Sequence, residues 1–280
     1  MTQGTAEPVL RKLIKDGFDE RVRGYENTLH HNDDLHQEFT RLTDMTGWLK
    51  EHRDFVERNE WGFGDRAFHH MWLLLLQHVA KRFAPVKALE LGVYRGQVIS
   101  LWKLISTELA LDSVITGVSP FEGNAIESRL GRKIMRLISK KYRTALRDGN
   151  VYGRIDYLAD VSKIFATFNL DLTNVRLIKG YSSSNQIREQ LQGETFSIVY
   201  IDGDHSFEGV RSDILSYCPM VDVGGYLVMD DASYFLPGSA FFKGHQSVSL
   251  ACETIPTTEF VNVLNVGHNR IYQKVAGELI

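Results

Sequence analysis

Two short stretches carry most of the chemistry available to this chain. An apolar run, FSIVYI, stops at Asp202-Gly203-Asp204-His205, and a second, GGYLVM, stops at Asp230-Asp231. Carboxylates gathered at two strand ends repel one another unless a proton or a cation neutralises them. Oxygen donors of this kind suit Mg²⁺, Mn²⁺ or Ca²⁺ rather than zinc or copper. The carboxylates at these two strand ends are therefore candidate metal ligands. Asp204 and His205 stand beside them as candidate general bases, with His205 ahead because an imidazole titrates near neutrality.

Those acids converge only if their strands share one sheet. KALELGV (87–93), SVITGVS (113–119), NVRLIKG (174–180), FSIVYID (196–202) and GGYLVMDD (224–231) read as apolar strands, with helical patterns following most of them. FVNVLNVGHNRIYQKV reads as a β-hairpin turning at Gly267-His268-Asn269. Apolar strands alternating with helices predict an α/β fold: a Rossmann-like, doubly wound, mostly parallel sheet with a C-terminal antiparallel hairpin. In such sheets ligands bind beyond the carboxyl ends of the strands, near the switch in strand order.

Upstream, GDRAFHHMWLLLLQHVAKRF (64–83) predicts a strong helix capped by Asp65 and ended by Pro85. Residues 1–60 read as a solvated helical extension, a candidate for a homo-oligomer contact or for a cover over the pocket. Between the second and third strands the chain runs far longer than a crossover needs. SRLGRKIMRLISKKYRTALRDGN (128–150) at its heart sets Arg129, Arg132, Lys133, Arg136, Lys140, Lys141, Arg143 and Arg147 against Asp148. A solvated face and a contact for an anionic acceptor explain it equally well. His69, His70, His245 and His268 are assigned to surface or packing roles, and SYFLPGSAFFKGHQ (233–246) to one wall of an acceptor pocket.

Composition bounds the rest. The chain has 280 residues, is 43% hydrophobic and 24% charged, and carries a net charge of −3, which argues against nucleic acid as a partner. Its cysteines, Cys218 and Cys252, lie far apart and fit a reducing compartment. The opening MTQGTAEPVLRKLIKDG lacks a signal-peptide core, and MWLLLL is too short to cross a membrane, so a cytoplasmic protein without a membrane partner is expected.

ELGVYRGQVIS (90–100) is a strand, a glycine turn and a helix start. Such a turn lets backbone approach a ligand, and the helix N-terminus offers free N–H groups. The third glycine of a dinucleotide-binding loop is missing, which disfavours an NAD-dependent dehydrogenase. With Glu90 two residues before Gly92, the segment resembles the first motif of class I S-adenosylmethionine-dependent methyltransferases. A sulfonium cation welcomes a carboxylate that a pyrophosphate would not.

That resemblance covers roughly 87–275 and implies cofactor contacts from Glu90, Gly92, Tyr94, Gly96 and Asp202. Where many members place a ribose-binding acid, this chain has Ser119 and, three residues later, Glu122; Tyr181 or Ser182 would lie near the adenine. It also implies a division into a helical extension (1–83) and a cofactor-binding domain (84–280) with a helical insertion at about 123–170.

IDGDHSFEGVRSDI followed by GGYLVMDD resembles a narrower group. These are the metal-dependent O-methyltransferases of the macrocin and antibiotic-sugar type, with relatives near the cephalosporin hydroxylase/rhamnosyl methyltransferase family. The group's ligand pattern maps onto Asp202, Asp230 and Asp231, and Mg²⁺ or another hard cation is the expected metal. Catechol-type relatives usually carry Asp-Asn at the last pair. The resemblance implies O-methylation of a polyhydroxylated small molecule, such as a sugar in a natural product, polysaccharide or nucleotide-linked form. A phosphate-bearing acceptor is favoured by the basic segment. The alternatives are a catechol-like phenol acceptor and a binding protein of the same fold without catalysis.

Overall fold

The computed structural model describes residues 17–122, 129–147, 156–236 and 241–275, with backbone only at 129 and 144–147. Four helices open the chain: α1 (Phe18–Arg23), α2 (Leu29–Met45), α3 (Gly47–Asn59) and α4 (Ala67–Val79). Strand β1 (Val86–Leu91), α5 (Gln97–Glu108) and β2 (Ser113–Ser119) follow. Next come α6 (Arg129–Ile138), α7 (Lys140–Arg147), α8 (Tyr157–Thr167), β3 (Val175–Lys179), α9 (Asn185–Gln190) and β4 (Phe196–Ile201). The chain continues through α10 (Phe207–Tyr217), β5 (Val221–Met229), α11 (Gln246–Cys252), β6 (Phe260–Val266) and β7 (Asn269–Lys274).

The seven strands form one sheet in the order β3-β2-β1-β4-β5-β7-β6, parallel except for β7, which runs antiparallel to β5 and β6. The doubly wound sheet with a terminal hairpin is thus present. Its switch point lies between β1 and β4, where the chain stops adding strands on one side and starts on the other. Alternation along the central strands feeds two cores. Ala88, Ile198, Tyr200 and Val228 join the cluster of α1–α5 and α8, while Leu89, Val199, Ile201 and Leu227 join that of α9–α11.

The N-terminal helices are not the solvated extension expected. Leu35, Phe39, Leu42, Leu49 and Val56 are buried in the same cluster as the sheet. The reason lies in α4, whose residues are almost all buried whichever way they face. A helix apolar all round needs cover on both sides, and α2 and α3 supply the outer one. Helix α4 itself is shorter than 64–83, and Asp65 is held chiefly by His36 Nε2 at 2.9 Å, with only a 3.4 Å contact to the Ala67 N–H. Strand β5 also differs: it starts earlier, at Val221, and ends at Met229, because Asp231 turns the backbone into the left-handed region (φ 52°).

One contact joins this outer layer to the sheet rim. The buried Asn32 of α2 donates to Gly267 O (3.1 Å) and accepts from Gly267 N (2.7 Å), clamping the β6–β7 turn. Replacement of Asn32 by Ala leaves a buried N–H and C=O unsatisfied. The Asn32→Ala protein should lose about 1–3 kcal/mol of stability in urea denaturation; an unchanged midpoint would show that the clamp carries no load.

Candidate functional site

The ladders of the parallel sheet run one residue past the strands and set the rim residues side by side. Gly92 N donates to Val118 O (2.9 Å), Asp202 N to Leu91 O (2.9 Å) and Asp230 N to Ile201 O (3.1 Å). Gly92 sits at φ +106°, and a Cβ there would lie 2.0 Å from Asp202 O, so only glycine fits where β1 meets β4. Gly96 (φ +85°) then opens α5. Tyr94, Phe121 and Asp231, non-glycine residues at φ 48°, 51° and 52°, all lie in loops at this rim. Backbone held in that region is a recurring property of ligand-binding edges.

Asp202, Asp230 and Asp231 do converge. Burial, then Asp230 and Asp231, push the Asp202 carboxyl well above the usual carboxylate range. Burial and Asp230 lift Asp231 to about 6, against the opposing pull of His268 and His205. Glu90 is buried as well, and burial raises its pKa strongly while a hydrogen bond from the Ile99 backbone offsets part of the rise. Its Oε2 has no hydrogen-bond partner among the described residues. A buried carboxylate with one unpartnered oxygen beside a glycine turn fits a ligand with positive charge, and clustered acids on the adjacent strand ends fit a divalent cation.

Around the acids stand three imidazoles. His205 Nε2 lies 3.4 Å from Asp231 Oδ2 and 3.9 Å from Asp202 Oδ1. His245 Nε2 lies 3.5 Å from Asp231 Oδ2, and its ring stacks on that of His205 with centroids 4.7 Å apart. His268 Nε2 approaches the other side, 3.3 Å from Asp230 Oδ1 and 3.8 Å from Asp231 Oδ1. Asn269 Nδ2 donates to Asp230 Oδ1 at 2.8 Å.

His245 and His268 were assigned to surface or packing roles, and the structure moves both to the site. Backbone hydrogen bonds bring them: His245 N to Asp231 O (2.9 Å), Ser233 N to Lys243 O (3.0 Å) and Ala232 N to His268 O (2.8 Å). A signal for His268 existed in the sequence. A hairpin whose returning strand pairs antiparallel with β5 must turn at β5's carboxyl end. For His245 the signal was its place in the 233–246 segment after β5, read as a wall of the acceptor pocket. His69 and His70 are buried, as a packing role requires; His69 Nε2 meets His52 Nδ1 at 2.9 Å, and His52 Nε2 meets Ser100 Oγ at 2.9 Å.

The remaining candidates are distributed more widely. Tyr94 packs against Tyr157 of α8 (4.8 Å between centroids), with the Arg95 guanidinium 5.4 Å from its ring. Ser119 is buried at the end of β2, and Glu122 is exposed and paired with Lys179. Tyr181 is exposed. Asp204 Oδ1 accepts from Ser206 N (2.7 Å) at the entry to α10, and its charge raises Asp213. Asp213, which sequence reading overlooked, is buried and accepts from Ser182 Oγ at 3.0 Å. Of the aromatic loop, Phe242 lies with its ring 5.9 Å from His245 and 5.5 Å from His268, while 237–240 lie outside the described residues. So does Asp148, and the side chains of Arg129 and Arg147, from the basic segment. No helix among the described residues is long and apolar enough to cross a membrane.

The family described as a methyltransferase domain matches residues 89–232, just over half of the chain. An uncharacterised protein of Acanthamoeba polyphaga mimivirus, R132, is 36% identical over 74 residues, 26% of this chain and 34% of that protein. The match thus spans about a third of the length of this curated relative. The solved O-methyltransferase NovP superposes with a TM-score of 0.55 at 18% identity, over 76% of this chain and 81% of its own. A solved Klebsiella pneumoniae protein gives 0.55 at 13% identity, over 88% and 99%. Both likenesses are in fold.

Asp213 yields a measurable consequence. Burial raises its carboxyl from an ordinary 3.8 to about 7. A raised carboxyl keeps its proton in the folded state after the unfolded chain has lost its own, so stability falls as pH rises from about 4 to 7 and levels off above. Asp213→Asn should flatten that slope, gaining stability at pH 8 and little at pH 4 in urea denaturation. Parallel pH profiles for the two proteins would refute the shift.

Proposed function

The chain belongs to the methyltransferase domain family, and from that membership we propose an S-adenosylmethionine-dependent, divalent-metal-dependent O-methyltransferase. Its acceptor is a polyhydroxylated small molecule of sugar type. The observation that carries this reading is the convergence of Asp202, Asp230 and Asp231 at the ends of β4 and β5, with Asp202 and Asp231 raised by burial and by their acidic neighbours. NovP, described as an O-methyltransferase, has the same fold. Asp230-Asp231 after β5, where catechol-type relatives usually carry Asp-Asn, favours a sugar-type acceptor over a catechol-like phenol.

Glu90 and the Gly92–Gly96 turn would hold the cofactor, which supplies an electrophilic methyl group. Asp202, Asp230 and Asp231 would hold the cation, which when bound orients neighbouring hydroxyls and acidifies one of them. His205 is the base we assign: its Nε2 faces the carboxylates of Asp231 and Asp202, which stabilise the imidazolium formed when it takes the acceptor's proton. The stacked His245 ring limits the rotation of His205. Asp204, turned to the start of α10, is the weaker choice. The cations of α6 and α7 would meet a phosphate on the acceptor.

The test is turnover of vicinal-diol glycosides against a simple catechol, with and without chelator. Asp202→Ala and Asp230→Ala should each lower metal-dependent turnover by on the order of 10²-fold or more, while calorimetric cofactor affinity stays largely unchanged. Full turnover under exhaustive chelation would end the metal reading, and equal loss of cofactor affinity would mark these acids as structural.

A further inference from the structure

The three imidazoles do not stand in equivalent places, and Asp231 divides them. Its Oδ2 faces His205 and His245, the stacked pair, whose side chains are 13% and 26% exposed. Its Oδ1 faces His268, 6% exposed, on the side shared with Asp230. His268 also has a fixed tautomer. Its Nδ1 lies 3.2 Å from the carbonyl of Phe242, and a carbonyl can only accept, so Nδ1 carries the hydrogen. In the neutral ring Nε2 is then a bare lone pair aimed at two carboxylate oxygens. Three acceptors so arranged repel one another unless a proton or a cation stands among them.

We infer that His268 supplies an imidazole nitrogen to the cation held by Asp230 and Asp231, making the site one for a first-row transition-metal ion of the Mn²⁺ or Fe²⁺ class in preference to Mg²⁺. The inference rests on the divalent-cation reading above and adds a ligand that the acid pattern does not contain. The spacing suits it: neighbouring ligands of an octahedral ion bound near 2.1 Å are about 3 Å apart, and His268 Nε2 stands 3.3 and 3.8 Å from the two carboxylate oxygens. A metal-binding histidine characteristically donates its other N–H to a carboxylate or backbone carbonyl, the arrangement His268 has with Phe242. Carboxylates alone suit Mg²⁺ and Ca²⁺, whereas an added imidazole favours the transition series.

The supports of His268 are built for position. The Gly267 backbone before it is clamped by Asn32, the Phe68 ring packs T-shaped against it with centroids 4.6 Å apart, and Asn269 after it holds Asp230. These contacts hold the imidazole against the acids.

The test uses the full chain freed of metal and titrated in parallel with Mn²⁺ and Mg²⁺, with pulsed electron paramagnetic resonance of the Mn²⁺ form reading directly coordinated ¹⁴N. The wild-type protein and His205→Gln should show nitrogen coupling, and His268→Gln should lose it. Mn²⁺ affinity should fall about 10-fold or more in His268→Gln, with Mg²⁺ affinity changing much less. Nitrogen coupling that persists in His268→Gln, or equal losses for both ions, overturns the assignment. So does tighter Mn²⁺ binding, which would mark His268 as an imidazolium counter-ion. Should His268→Gln fail to fold, His205→Gln and His245→Gln decide by elimination, since the coupling must survive both. Mn²⁺ bound through oxygen alone defeats the His268 ligand and leaves the proposed function standing; no binding of either ion defeats both.

Discussion

Electrostatic repulsion at one sheet edge is the constraint around which this molecule is organised. Parallel pairing of β4 with β5 sets Asp202 beside Asp230, and the left-handed turn at Asp231 adds a third carboxylate. Glu90 stands close enough for Asp230 to raise its pKa. Water alone cannot relieve such a cluster when its members are buried, and the low local dielectric sharpens every interaction within it. The imidazoles, the Asn269 amide and the raised pKa values are the protein's own responses to that charge. Under the proposed function, a cation and a positively charged cofactor would relieve it.

The rest of the fold holds those charges in place. The two faces of the sheet are sealed by separate apolar clusters, so the strand ends cannot relax apart without exposing one of them. On one face the seal is two layers deep, because α4 is apolar in all directions and α2 and α3 must cover it. That second layer reaches the site through Asn32, which grips the hairpin turn ahead of His268. The N-terminal helices thus reach the cluster by fixing the hairpin, without contributing a carboxylate or imidazole to it among the described residues.

The loop between β5 and α11 performs the same task from another direction. Gly244 is needed because a Cβ there would lie 2.0 Å from Asp231 O, so the loop backbone passes close against the acid and delivers His245. Glycine at 92 does the equivalent for β1 against β4. Close backbone approach at two points, each possible only without a side chain, sets how tightly the rim is drawn together.

Much of this was legible in the chain alone. Apolar runs broken by turn residues gave the strand identities, and SVITGVS matches β2 residue for residue. The rule that parallel strands end at a common ligand rim brings Glu90, Asp202, Asp230 and Asp231 together from sequence alone. Pattern reading reached these features because they depend on neighbours a few positions apart. It failed for the roles of His245 and His268, for Asp213 and for the burial of α2 and α3, whose environments are made by residues far away in sequence. Whether a histidine faces solvent or a carboxylate depends on loop closure and strand register, which no local spacing encodes. Tertiary structure alone decided which oxygen of Asp231 each imidazole meets, because that follows from the packing of three separate segments against one turn.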